Sequence, residues 1–388
     1  MNAMKLVCRS AGRSILGVLL IAMAALPLTN CTRREPVRVG FVGQLTGFQA
    51  ELGIQERNGV QLAVEEINAA GGVAGHPIEL VVRDDLGTPE GAQAADRELI
   101  TAGIVAVIGH PTSSQTLAGL AVTNTARVVM LSATASAPQL TGKSDYFLRI
   151  CQTVADQAIH SAQHIRRDHN RTRVAVIYDT DNAAYTTGYL NAFAGEFQSL
   201  GGKVVASTGF SSRARPDFTP LIAQLRESNP DEVLIIAADV DTALIAQRTR
   251  LIDWQVPLYT SSWAQTETLI NNGGKAVEDM EIELISAVNK ESTDYQDFAK
   301  RFQARFGLVP SFGAVMAYEA ANVLAVALRE TGGKADGLKQ ALLGMKDFKG
   351  VSDTFHFDEH GDVVRPIHLG VIRNGKYVGI SDVKPTEH

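Results

Sequence analysis

Cysteine is scarce in this chain, which has three cysteines in 388 residues, too few for a disulfide framework. Cys8 and Cys31 lie in or directly after an N-terminal export segment, and this leaves Cys151 without a partner. A chain of this length can bury a large core, and 45% of its residues are hydrophobic. We therefore expect the fold to depend on packing rather than on disulfide bonds.

An excess of positive charge and the common catalytic sequence motifs are also missing. The chain has 36 Lys and Arg against 42 Asp and Glu, a net charge of −6, and no arginine-rich run. Nucleic-acid-binding proteins generally carry a basic patch or stripe, so this class is excluded. The nucleotide-binding patterns G-x-G-x-x-G and G-x-x-x-x-G-K-[ST] are absent, as are the hydrolase patterns G-x-S-x-G and H-E-x-x-H. We predict no enzymatic activity and no cofactor.

The first 30 residues have the features of an export signal. A basic head over residues 5–13 precedes an apolar core over residues 15–26, which is shorter than the about 20 residues that span a bilayer. The following Leu28-Thr29-Asn30-Cys31 is similar to a bacterial lipobox, which implies lipidation of Cys31 and a membrane anchor. Ordinary cleavage near residues 22–24 is the alternative. In both cases we expect the mature protein in the periplasm or at the cell exterior.

Strands and helices alternate along most of the chain. The first helix shows it clearly, because Val60, Ala63, Val64 and Ile67 recur at i, i+3, i+4 and i+7 and the pattern stops at Gly71-Gly72. Such alternation predicts an α/β fold with parallel sheets covered by helices on both faces. More than 350 mature residues indicate two domains.

One strand-to-helix turn predicts an anion site. The apolar strand 105–108 is followed by Gly109–Ser114 (GHPTSS) at the start of a helix. Unpaired backbone N–H groups point outward at such a turn, and small residues with hydroxyls leave room for a ligand. We predict that this turn binds a negatively charged group. Ser113 and Ser114 could instead only cap the helix.

Three histidines within one segment are candidate metal ligands. His160 and His164 are i, i+4 neighbours on a predicted helix, and His169 follows. No Glu or Cys at a recognisable spacing completes a ligand set. A solvated helix face is the preferred interpretation, and we predict no metal site.

Four stretches together resemble a known family, namely residues 58–85, 109–114, 132–138 and 357–362. They are similar to the periplasmic leucine/isoleucine/valine-binding proteins, the type I solute-binding components of ABC importers. The resemblance covers nearly the whole mature chain, from about residue 37 to residue 380.

The resemblance implies an α/β fold of two doubly wound, Rossmann-like lobes joined by three crossover strands, which close like a flytrap on a ligand. Lobe 1 would take residues 37–150 plus 288–353. Lobe 2 would take residues 151–287 plus 354–382. Crossings are expected near residues 149–153, 284–289 and 352–357, and ligands of such sheets lie beyond the carboxyl ends of the strands.

The resemblance also implies a set of ligand contacts. Ser113 corresponds to the serine that binds the ligand carboxylate, and Ser114 flanks it. Thr134, Ala135 and Ser136 correspond to residues that contact the ligand ammonium or its surroundings. The aromatic residue that lobe 2 brings over the ligand corresponds to Tyr185.

Other positions depart from the family pattern. Ser262 stands where the family has a glutamate that neutralises the ammonium, and Leu52 stands where it has a tryptophan. A buried cation without a carboxylate would be costly, so Asp239 is the proposed replacement partner; its alternative role is to cap a helix. Trp263 is placed either in the cleft or at the edge of lobe 2. The carboxylate end of the pocket is therefore retained, and the remainder is rebuilt.

These features predict an extracytoplasmic, non-enzymatic solute-binding protein that delivers branched-chain or related amino acids to the permease subunits of an ABC importer. A ligand-sensing flytrap protein coupled to signalling, for an amino acid, an amide or a small aromatic acid, is the alternative. An α/β enzyme is the least favoured class.

Overall fold

The computed structural model describes residues 34–47, 50–285, 292–351 and 353–383. The predicted signal peptide and Cys31 lie outside the described residues, as does most of the second predicted crossing. Among the described residues the alternation of strands and helices is confirmed. The helices in chain order are α1 Ala50–Ala69, α2 Pro89–Thr101, α3 Ser113–Ala126, α4 Val154–Gln163, α5 Ala183–Ser199, α6 Phe218–Glu227, α7 Asp239–Leu251, α8 Glu267–Gly273, α9 Thr293–Phe306, α10 Phe312–Glu330 and α11 Leu338–Leu343.

The first sheet is entirely parallel and has the strand order β2-β1-β3-β4-β5. Its strands are β1 Val37–Gly43, β2 Ile78–Asp84, β3 Ala106–Ile108, β4 Val129–Ser132 and β5 Phe147–Arg149. Every residue of β3, β4 and β5 is buried, as expected for parallel strands covered on both faces.

The second sheet has seven strands in the order β15-β14-β10-β9-β8-β6-β7. They are β6 Arg173–Asp179, β7 Lys203–Phe210, β8 Glu232–Ile236, β9 Leu258–Thr260, β10 Glu281–Leu284, β14 Ile367–Arg373 and β15 Lys376–Val383. The pairs β10–β14 and β14–β15 are antiparallel and the remaining pairs are parallel. A hairpin from the end of the chain thus extends an otherwise parallel sheet.

Local signals explain where helices begin and end. Thr88 caps α2, since its side chain accepts a hydrogen bond from the Gly91 N–H, and Pro89 occupies the first helical position. Helix α1 ends before Gly72, whose φ of +77° places it in the left-handed region. A β-carbon at Gly72 would lie 2.0 Å from the His76 carbonyl oxygen, so only glycine fits this turn.

The largest core joins the first sheet to α1 and α10. Helix α10 is long and apolar enough to cross a membrane, but 78% of its apolar window is buried in the protein. Gly59 on α1 allows a close approach between the two helices, because a β-carbon there would lie 2.2 Å from the Ala314 carbonyl oxygen. This contact marks α10 as a core helix of lobe 1.

The third crossing lies later in the chain than expected. Strands β11 Phe348–Lys349, β12 Thr354–Phe357 and β13 Val363–Val364 form a small antiparallel sheet. Burial alternates along β12, which places Phe355 and Phe357 in the core of lobe 1. The lobe 2 range that was predicted to begin at residue 354 is therefore corrected, since the chain enters the second sheet only with β14.

Candidate functional site

A small cavity lies where carboxyl ends of strands from both sheets meet. Six of the predicted ligand residues line it: Ser113, Thr134, Ser136, Tyr185, Ser262 and Trp263. The first three follow β3 and β4 of lobe 1, and the others follow β6 and β9 of lobe 2.

The Ser113 side chain is fixed by hydrogen bonds from backbone N–H groups. Ser113 is the first residue of α3 and is 1% exposed. Its Oγ accepts hydrogen bonds from the backbone N–H groups of Ser136 and Ala137, each at 3.1 Å. Because the oxygen is occupied as an acceptor, the hydroxyl proton remains to be donated, and a carboxylate is a suitable acceptor.

The buried His110 stabilises the turn that contains Ser113. His110 Nδ1 lies 2.7 Å from Asp85 Oδ2, and its Nε2 lies 3.2 Å from Asp96 Oδ2. Burial alone would lower the pKa of His110, but the hydrogen bonds to the two carboxylates and their charges raise it to about 9. The His110 carbonyl also accepts a hydrogen bond from Ser132 Oγ at 2.9 Å, which ties the turn to the end of β4. An imidazolium therefore supports the turn that is predicted to bind an anion.

Thr134 contacts a buried glutamate on α1. Its Oγ1 lies 2.5 Å from Glu56 Oε1 and 2.7 Å from the Pro111 carbonyl oxygen. A hydroxyl has one proton and cannot donate to both oxygens. Burial raises the pKa of Glu56 to about 8, so at neutral pH a protonated Glu56 can donate to Thr134 while Thr134 donates to Pro111. The contact between Glu56 and Thr134 is therefore uncharged at neutral pH.

Two predicted residues lie next to the cavity without lining it. The Ser114 N–H donates to Asn182 Oδ1 at 3.2 Å, and Ser114 Oγ accepts from the Ala184 N–H at 3.3 Å. These are contacts between the lobes. The Ala135 N–H donates to Ser132 Oγ at 3.0 Å, and its carbonyl accepts from the Cys151 thiol at 3.5 Å. Direct ligand contact by Ser114 and Ala135 remains a prediction.

The lobe 2 wall is aromatic. The rings of Tyr185 and Trp263 pack edge to face, with centroids 5.6 Å apart. The Tyr185 hydroxyl is buried and makes no hydrogen bond within normal distance and angle. Ser262 is 1% exposed, and its Oγ donates to Gln157 Oε1 at 2.8 Å. The tyrosine hydroxyl, which lies near Ser261 and Ser262, is thus one lobe 2 group on this wall with hydrogen-bonding capacity to spare.

A second cavity adjoins the first, since both are lined by Leu52, Thr112, Trp263 and Phe312. Its acidic lining is Glu51, Asp239 and Asp241. Asp239 Oδ2 accepts a hydrogen bond from Thr266 Oγ1 at 2.6 Å, and burial raises the pKa of Asp239. Burial also raises the pKa of Asp241 to about 6. The predicted partner for an ammonium group therefore faces the neighbouring cavity.

Several lining residues were missed by sequence reasoning. Asn182 occupies the N-cap position of α5 after β6, and this strand-to-helix placement was a usable signal. Ile285 follows β10 at the second crossing. Phe312 opens α10 and reaches the cavity from the last third of the chain. No local pattern around Phe312 indicates this position.

Comparisons with known proteins agree with this architecture. The family described as periplasmic binding protein matches residues 36–376. The Leu/Ile/Val-binding protein of Escherichia coli is 28% identical over 261 residues, which cover 67% of this chain and 70% of the relative.

Solved structures show the same fold. The branched-chain amino acid transporter substrate binding protein LivJ from Streptococcus pneumoniae, in complex with isoleucine, superposes with a TM-score of 0.83 at 24% identity, covering 90% of this chain and 100% of the other. A solute binding protein of an ABC transporter from Rhodopseudomonas palustris, in complex with 3,4-dihydroxybenzoic acid, superposes with a TM-score of 0.82 at 22% identity, covering 91% and 98%.

Proposed function

Since the chain belongs to the periplasmic binding protein family, we propose that it captures a small carboxylate-bearing solute, a branched-chain or related amino acid, between its lobes and delivers it to an ABC permease. One observation carries this proposal. Ser113, Thr134 and Ser136 of lobe 1 line the same cavity as Tyr185 and Trp263 of lobe 2.

The proposed capture has two steps. The ligand carboxylate first docks on the Ser113 turn, where the serine hydroxyl and the amino-terminal turn of α3 are available. Closure of the lobes then brings Tyr185 and Trp263 over the ligand. The hydrogen bond from the Ser114 N–H to Asn182 Oδ1 is a contact that would hold the closed form. Each charge-assisted hydrogen bond contributes about 1.5–3 kcal/mol.

The acidic cavity favours an amino acid over a simple acid. The named ligands of the two superposed proteins, isoleucine and 3,4-dihydroxybenzoic acid, both carry a carboxylate, and only isoleucine carries an ammonium group. Glu51 and Asp239 would stabilise that cation, since a buried ammonium group without a carboxylate partner is costly. The aromatic wall of Tyr185 and Trp263 suits an apolar side chain.

The protein would act outside the cytoplasm by binding alone, without converting its ligand. Two superposed proteins that are named as binding proteins of transporters favour transport over the sensing alternative. We also propose that Cys31 carries a lipid that anchors the mature chain. Cys31→Ala should move the protein from the membrane fraction to the soluble fraction, and unchanged fractionation would contradict the anchor.

A thermal-shift screen followed by calorimetry tests the ligand class. Leucine, isoleucine, valine and 3,4-dihydroxybenzoate are compared with leucinamide, which lacks the carboxylate. A ligand present at 100 times its dissociation constant should add about 2.7 kcal/mol of stability. We expect stabilisation by at least one amino acid and clearly weaker stabilisation by leucinamide. Stabilisation by leucinamide equal to that by leucine would contradict docking of a carboxylate.

A further inference from the structure

Two histidines and a glutamate meet at the amino ends of the lobe 2 strands, at the opposite end of the sheet from the cavity. His164 Nε2 lies 2.9 Å from Glu281 Oε2, and His169 Nε2 lies 3.0 Å from the same oxygen. The two histidine Nε2 atoms are 3.1 Å apart. Three potential metal ligands therefore form a nearly equilateral triangle.

A π-helical turn brings the two histidines to one side. Residues His164–Asp168 extend α4 with this wider turn, and the His169 N–H bonds to the His164 carbonyl, five residues earlier. In an α-helix, residues five apart point in clearly different directions, whereas an i to i+5 turn aligns them. Single π turns of this kind are frequent at functional sites.

The close approach of the three ligand atoms favours a metal ion between them. The two Nε2 atoms and the Glu281 oxygen lie within 3.1 Å of one another. A cation would accept a lone pair from each of the three atoms at once, which suits this spacing. His164 Nδ1 lies 2.6 Å from Asp168 Oδ2, so a carboxylate orients the ring in the way common around metal-bound histidines.

We propose that His164, His169 and Glu281 bind a divalent transition-metal ion of the zinc class. Tetrahedral zinc with bonds of about 2.0–2.1 Å places its ligand atoms about 3.3–3.4 Å apart, so the triangle needs to widen by only a few tenths of an ångström. The His169 side chain is 32% exposed, which leaves room for water at the fourth position. The bound ion links the end of α4 to β10 and stabilises lobe 2.

The predicted solvated helix face is wrong for His164, which is buried, and the proposed site departs from the sequence-based prediction of no metal site. That prediction found no carboxylate near the histidines because Glu281 lies 112 residues beyond His169 and reaches them only through the strand order of the second sheet. It also took His160 and His164 as the pair, whereas the π turn pairs His164 with His169.

Zinc titration of the untagged, chelator-treated full chain tests the site by calorimetry. We expect one zinc per chain and a higher melting temperature with zinc. His169→Ala and Glu281→Gln should each weaken binding about tenfold or more, and Asp168→Asn should weaken it about tenfold. Mg²⁺ and Ca²⁺, which prefer sets of oxygen ligands, should not bind.

The matched control is His160→Ala, which removes a histidine one turn earlier on α4, outside the triangle. It should bind zinc like the wild type. Melting in the absence of zinc checks that each variant folds. Because His169 is half-buried and Asp168 is exposed, their variants should fold even if Glu281→Gln does not. Absence of zinc binding, or equal losses in His160→Ala and His169→Ala, would overturn the site. Neither outcome bears on ligand capture in the cleft.

Discussion

The two walls of the cleft differ in how their polar groups are engaged. On the lobe 1 wall, Ser113 Oγ is held by two backbone amides and Thr134 by Glu56. On the lobe 2 wall, the Tyr185 hydroxyl has no hydrogen bond, and burial raises the pKa of Asp239 in the adjoining cavity. Lobe 1 is therefore arranged in advance for one kind of charged group, whereas lobe 2 offers groups that a particular ligand must satisfy.

This difference assigns separate tasks to the lobes. A prearranged wall contributes affinity for the group that all ligands share, because little ordering remains to be done on binding. A wall with unsatisfied groups discriminates, since a ligand that leaves them unpaired binds less tightly.

Replacement of His110 should have the largest effect, on the stability of the prearranged wall. His110→Gln leaves Asp85 and Asp96 buried without a counter-charge, which should lower the free energy of unfolding by about 3–5 kcal/mol. Chemical denaturation measures the loss. The control His356→Gln changes a partly exposed side chain and should cost less than about 0.5 kcal/mol. Equal stability of the two variants would show that the buried triad does not support the turn.

Asp239→Asn should change the ligand selectivity of the protein and leave its fold intact. The amide keeps an oxygen for Thr266 but removes the negative charge, so amino-acid affinity should fall by about 1.5–3 kcal/mol. Affinity for an aromatic acid without an ammonium group should stay the same or rise. Calorimetry with both ligand classes measures this, with the exposed Asp253→Asn as control. Parallel losses for both classes would contradict a cation-binding role.

Glu56→Gln should alter the dependence of stability on pH. The pKa of the folded-state carboxyl is raised by burial from 4.5 to about 8, so the folded state holds a proton that the unfolded state releases. This contribution is complete below pH 4.5 and is lost as the pH rises through 8. The wild type should therefore lose stability relative to Glu56→Gln, by up to about 1.4 kcal/mol per pH unit in this window. Parallel stability profiles for the two proteins would contradict a protonated Glu56.

Local patterns were sufficient for most of the fold. Hydrophobic periodicity and helix-capping residues predicted the alternating helices and strands, and the resemblance predicted the type I solute-binding fold. Both predictions are confirmed. The resemblance also predicted that Ser113 and Tyr185 belong to one ligand site; they line the same cavity, together with Trp263, although their ligand contacts remain predictions.

The features that were missed depend on pairing between distant segments. Glu281 reaches His164 across 117 residues, and the His110 ring meets Asp85 and Asp96 from two other segments. Strand β12 has the alternation of a strand, but nothing in that pattern indicates which lobe its buried face will cover. Local periodicity determines which face is apolar, and tertiary packing determines what covers it.

The most direct test compares Ser113→Ala with the wild type by calorimetry, using the amino acid that binds best and the amide of that amino acid. The hydroxyl should contribute only when a carboxylate is present, so we predict that the variant binds the amino acid about tenfold or more weakly and binds the amide unchanged. Equal affinity of both proteins for the amino acid, or equal losses for the amino acid and the amide, would contradict carboxylate docking at Ser113.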